Sequence, residues 1–196
     1  MCLGRLAHFA IALTLVGAAC DAAAPSPPPA PTCAEYCGVL QLACSPDHQQ
    51  YSDMDDCLAS CLAFPVGAGT DTSGDTLGCR LTYARLAAKG GAQLAASCAS
   101  AGPGGDGKCG TNCDGYCDLA MTYCSPEHEA KLYDTRAQCL SDCALRDDDT
   151  PLNAGAGVRT DMGNTTACLL YHAQMGSVAP SGHCLGDLAI EGGACH

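Results

Sequence analysis

Cysteine and apolar positions in the first third of the chain recur with a helical period. Cys33, Cys37, Leu40 and Cys44 fall at steps of four, three and four, which lines them along one face of a helix whose start Thr32 can cap. Ser45-Pro46 ends that helix, because the residue before a proline is pushed out of the α region. Cys57 and Cys61 again stand four apart, and Asp53, Asp55 and Asp56 ahead of them put negative charge where a helix N-terminus favours it. A second short helix is expected there, and a third over 76–89, where a Thr-containing turn opens a run rich in Leu and Ala.

The pattern occurs twice. Cys33, Cys37 and Cys44 recur 80 residues later as Cys113, Cys117 and Cys124; Cys57 and Cys61 recur at an offset of 82 as Cys139 and Cys143. Cys79 recurs at 89 as Cys168, and Cys98 and Cys109 at 86 as Cys184 and Cys195. Cys-Ser-Pro-Asp-His at 44–48 matches Cys-Ser-Pro-Glu-His at 124–128, Tyr36 matches Tyr116, and Tyr51 matches Tyr133. This self-similarity predicts a duplicated module, 33–110 and 113–196, with almost no linker and therefore with the modules in contact. The fold class that follows is small, disulfide-rich and mainly α. Two tandem Cys-rich helical modules of about three short helices each are expected, with long Gly/Asp/Thr loops at 62–75 and 144–164 on the surface and a third helix of the second module at 165–175.

Two consecutive helices that each bear Cys-x-x-x-Cys resemble the twin-CX3C helical hairpins of α-hairpinins and small mitochondrial chaperones, over residues 33–61 and 113–143. In such an antiparallel hairpin the outer cysteines face each other and so do the inner ones. The resemblance therefore implies Cys33–Cys61 with Cys37–Cys57, and Cys113–Cys143 with Cys117–Cys139. The chain departs from that pattern by adding Cys44 and Cys124. The third helix carries Cys79 or Cys168, which could take Cys44 or Cys124, and elimination then leaves Cys98–Cys109 and Cys184–Cys195. Eight cysteines allow about 105 connectivities, so this is one choice among many.

Composition explains why so many cross-links are needed. The chain has 18 cysteines in 196 residues, no Trp and only two Phe, so its 47% hydrophobic content is mostly Ala, Leu and Cys. Small side chains bury little area, and at roughly 25 cal/mol per Å² they do not offset the ordering entropy of a loop-rich chain. Cysteine at this density also implies an oxidising compartment. The formal net charge is −12, which disfavours nucleic acid as a partner and electrostatic docking on anionic lipid.

The N-terminus reads as an address. Residues 1–5 carry one positive charge, residues 6–16 are almost wholly apolar, and Gly17-Ala18-Ala19 precede Cys20, the three-part layout of a signal peptide over 1–19. The apolar run is shorter than the roughly 20 residues a membrane-spanning helix needs. Cleavage before Cys20 resembles bacterial lipoprotein processing, in which the new N-terminal cysteine receives a diacylglycerol, and residues 20–32, rich in Pro and Ala, resemble a lipoprotein tether. The usual lipobox has Leu three residues before the cysteine, where this chain has Gly17. Cysteine parity favours lipidation: Cys2 leaves with the leader, sixteen cysteines lie in the modules, and Cys20 alone has no counterpart. Plain secretion and intermolecular pairing through Cys20 are the alternatives.

Little in the chain points to catalysis. The tightest cysteine spacing is four, so there is no Cys-x-x-Cys for thioredoxin-type redox chemistry, haem attachment or a zinc ribbon. No Gly-x-Ser-x-Gly, phosphate loop, dinucleotide fingerprint or His-Glu-x-x-His occurs. His48 and His128 occupy equivalent places after Ser-Pro-acid and suit a helix start or the surface. His128, His172, His183 and His196 could together form an imidazole site for Cu or Zn, although the first module has Tyr83, Ser97 and Gly110 at the counterparts of the last three. Asp147-Asp148-Asp149 reads as a solvated loop, lacking the alternating ligands of a Ca²⁺ site.

The expectation is an exported, lipid-anchored or secreted cell-envelope protein that is not an enzyme and needs no cofactor. Its role would be structural or the binding of a protein or small molecule, with the membrane touched only through an N-terminal lipid and oligomeric state left open. A metal-binding protein using second-module histidines and a secreted disulfide-rich inhibitor or effector are the alternatives.

Overall fold

Helix α1 covers Cys33–Cys44 in a computed structural model that describes residues 29–44, 46–128, 131–146, 161–188 and 193–195. The leader at 1–19, Cys20, most of the tether, Asp147-Asp148-Asp149 and His196 lie outside the described residues. Within them α2 spans Met54–Cys61, α3 Leu77–Ala87, α4 Leu94–Ala101, α5 Asn112–Tyr123, α6 Arg136–Cys143 and α7 Thr166–Met175, followed by a π-type helical segment at Ser181–Leu188. The described residues hold no strand, and no helix among them is long and apolar enough to cross a membrane.

Helix starts follow local sequence. Thr32, Asp53, Thr76, Thr135 and Thr165 each accept a hydrogen bond from the backbone N–H three residues on, and Thr111 with Asp114 forms a reciprocal capping box, each cap stabilising its helix by about 1 kcal/mol. The third helices begin where expected. A fourth helix, α4, was not expected from the sequence: it follows Gly90-Gly91, has no side-chain cap at Gln93, and consists largely of Ala and Ser.

The hairpin cysteines pair as the resemblance implies: Cys33–Cys61, Cys37–Cys57, Cys113–Cys143 and Cys117–Cys139. The other four expected bonds are corrected. Cys44 bonds Cys98 rather than Cys79, and Cys79 bonds Cys109. Cys124 bonds Cys184 rather than Cys168, and Cys168 bonds Cys195. Helix α4 is the reason in the first case. It packs against α1 and α3, which brings buried Cys98 to the C-terminal end of α1, while the turn after α4 returns the chain to the start of α3. There Gly74 N–H donates to Lys108 O at 3.1 Å and sets Cys109 beside Cys79. The equivalent bond from Gly163 N–H to Ala194 O, at 2.8 Å, does the same for Cys168 and Cys195. Both glycines have φ in the left-handed region, 86° and 104°, which suits a residue without a Cβ.

Disulfides and small residues dominate two hydrophobic clusters, one built on 36–101 and one on 116–195. Each contains an edge-to-face Tyr pair, Tyr36 with Tyr51 and Tyr116 with Tyr133, ring centroids 6.3 Å apart in both, a geometry that adds about 1 kcal/mol beyond burial. The clusters are stitched together. Phe64, from the chain just beyond α2, packs into the second one, Tyr123 O–H donates to Ala59 O, and Gly115 lies so close to Pro103 that a Cβ would come within 1.9 Å of its carbonyl oxygen.

Candidate functional site

Two polar constellations lie where the halves meet. The first is an ion network that the sequence reading did not single out. Arg80 in α3 is fully buried; it donates to Asp75 Oδ1 at 2.7 Å, Gly102 O at 3.3 Å and Pro103 O at 3.0 Å, with its guanidinium 3.9 Å above the Phe64 ring. Asp75 also accepts from Arg136 at 2.9 Å, and Arg136 in turn donates to Asp118 at 3.0 Å and Asp114 at 3.2 Å. Three carboxylates thus share two guanidiniums. Burial, and next the Asp75 carboxylate, push Asp118 up to about 7 against the pull of Arg136. Burial acts in the same sense on Asp114, but hydrogen bonds from Thr111 and Arg136 outweigh it and hold Asp114 below the ordinary Asp value. The Arg136–Asp75 pair is the member of this network that joins the halves.

The second constellation faces solvent. A cleft of about 730 Å³ runs between the start of α2 and the end of α7. One wall carries Ser52, Asp53, Asp55, Asp56 and Ala59; the other carries Met175, Ser177, Val178, Ala179 and His183. Two of the three carboxylates serve the helix: Asp53 caps α2, and Asp56 accepts from Ser52 N–H at 2.8 Å and Ser52 O–H at 2.7 Å. Asp55 is exposed at the rim.

Behind His183 stands His172, 5% exposed, with the two Nδ1 atoms 2.9 Å apart. His172 Nε2 lies 2.9 Å from the backbone oxygen of Asp161. Since a carbonyl only accepts, Nε2 carries a proton, and in the neutral ring Nδ1 then presents its lone pair toward His183. Of the four histidines considered together in the sequence, the structure thus joins His172 and His183. His128 sits instead against Tyr123 and Ser125, and His196 lies outside the described residues. Cys168 and Cys195 have donor atoms within 4.8 Å of His172, but their sulfurs are bonded to each other and offer no thiolate.

Chemically, the cleft offers acidic oxygens, an imidazole and an apolar stripe. All sixteen described cysteines are oxidised, so none of them is a nucleophile. Fold and site together define a small, mainly helical, disulfide-cross-linked protein with a cleft between its halves that has one acidic and one apolar wall. No protein family, no curated protein and no solved structure matches the chain.

Proposed function

We propose that the chain is an exported protein of the cell envelope, acylated at Cys20 and carrying two tandem modules, 33–110 and 113–196, on a Pro/Ala-rich tether, with a binding rather than a catalytic role. One observation carries the reading: eight disulfides use every described cysteine, and bonds at this density form and persist in oxidising compartments. With sixteen cysteines paired and Cys2 in the expected leader, Cys20 is the odd thiol, which acylation would consume. The cleft between α2 and α7 supports the binding part, because it combines an acidic wall with an apolar one, a combination suited to a cationic or metal-bearing partner. A net charge of −12 favours the same class of ligand.

Mass spectrometry of the mature N-terminus, with fractionation of the producing cells, tests this. The expected result is a chain beginning at a diacylglyceryl-modified Cys20 and recovered with membranes. An unmodified Cys20 in a soluble exported chain would remove the anchor, and an uncleaved chain with reduced cysteines in the cytosol would remove export as well.

A further inference from the structure

We propose that His172 and His183 form a chelating site for a late first-row divalent cation, Cu(II) ahead of Zn(II), at the edge of the cleft. The inference deepens the binding reading, on which the biological use of the site rests, and it is independent of acylation at Cys20.

Three observations meet here. The first is orientation: the Asp161 carbonyl takes the Nε2 proton of His172, the arrangement by which an outer partner fixes a ligating imidazole and turns its other nitrogen, Nδ1, toward His183. The second is bite. Two nitrogens 2.9 Å apart, each about 2.0 Å from a shared ion, subtend close to a right angle at it. That is the cis angle of a tetragonal Cu(II) site, whereas tetrahedral Zn(II) would need the rings to part by a few tenths of an ångström. The third is access: His172 is held in the core by α7, while His183 opens on a cleft whose far wall carries Asp53 and Asp55, so the ion reaches the pair through a region of negative potential.

Binding requires one proton to move. Before chelation His183 donates its Nδ1 proton to His172 Nδ1; on chelation that proton is re-seated on His183 Nε2 through solvent, and both rings turn so that their Nδ1 lone pairs converge on the cation beside the line joining them. The first half lacks the pair: its counterparts are Tyr83 and Ser97 on a scaffold with the same cross-links. A chelating pair therefore belongs to the second half alone.

The test uses the full mature protein, disulfides intact and freed of metal, titrated with Cu(II) and separately with Zn(II). The proposal expects one equivalent of Cu(II), bound more tightly than Zn(II), with an electron paramagnetic resonance spectrum showing two equatorial nitrogens. His183→Ala, at a partly exposed position, weakens binding at least about tenfold and removes one nitrogen from the spectrum. The double variant His172→Tyr/His183→Ser copies residues the first half already accommodates and abolishes the site without loss of helical signal. Absence of stoichiometric Cu(II) uptake, or equal affinity in wild type and His183→Ala, would overturn it and leave a hydrogen-bonded imidazole pair. Either result leaves the mass of the N-terminus unchanged, so failure here and failure of the envelope reading are distinguishable.

Discussion

The two halves place a partnered arginine on different elements. In the first half Phe64 lies beyond the hairpin and Arg80 lies on the third helix, stacked over it and paired with Asp75. At the aligned positions of the second half the residues are Arg146, Leu169 and Asn164. Arg146 now comes from beyond the hairpin, donating to Asn164 Oδ1 and, at 3.0 Å, to Cys195 O, while Leu169 on the third helix is buried and apolar. One disulfide topology thus tolerates an arginine arriving from either side. The cross-links fix the backbone, and each half then places its arginine within it differently.

If the cross-links carry both halves alike, matching bonds should count alike. Cys44→Ala/Cys98→Ala opens a loop of sequence separation 54, and Cys124→Ala/Cys184→Ala one of 60. Each is expected to destabilise by about 4 kcal/mol in denaturant unfolding, with Cys37→Ala/Cys57→Ala nearer about 3 because its loop is shorter. A large inequality between the two matched pairs would break the comparison. The arginine exchange should instead be unequal. Arg80→Leu is expected to cost about 3 kcal/mol, since Asp75 keeps Arg136, whereas Leu169→Arg buries a cation opposite Asn164 and should cost about 4 kcal/mol or more. Thermal melts of the two variants decide it.

Much of this was legible from residue spacing and some of it was not. Cys-x-x-x-Cys puts both sulfurs on one helix face, so the hairpin pairings needed only the helical period and an antiparallel turn. Cys98 and Cys184 failed because their partners depend on the chain that follows the third helix of each half. That stretch is Ala/Ser/Gly-rich, carries no cap signal, and read as a loop; as a loop it leaves Cys98 nearest Cys109 in sequence. Packed as α4 it turns Cys98 toward α1. The ion network left a trace only in comparison: Asp75 and Arg80 change together, to Asn164 and Leu169, between repeats. His172 and His183 were legible as residue types but not as a pair, because a spacing of eleven gives no local ligand pattern.

A smaller effect sharpens the contact between halves. Asp118 holds its proton more tightly when folded, about 7 against an ordinary 3.8. Stability therefore falls as pH rises between those values and is flat above them, because the folded state binds the extra proton. Melting temperature measured from pH 4 to 8 should show that slope in the wild type and lose it in Asp118→Asn, while Asp114, shifted the other way, adds stability that disappears only in stronger acid. Smallest of all, Tyr36→Phe removes hydrogen bonds to Tyr51 and Ala101 O and should cost about 1 kcal/mol. Tyr116→Phe, whose hydroxyl meets Tyr133 alone among the bonds described, should cost less.

The claim beneath all of this is that covalent cross-links stand in for an interior this composition cannot build. Far-ultraviolet circular dichroism of the mature protein before and after complete reduction and alkylation tests it most directly. The account predicts that the helical signal collapses in both halves once the eight bonds are opened; an unchanged helical spectrum after full reduction would contradict it.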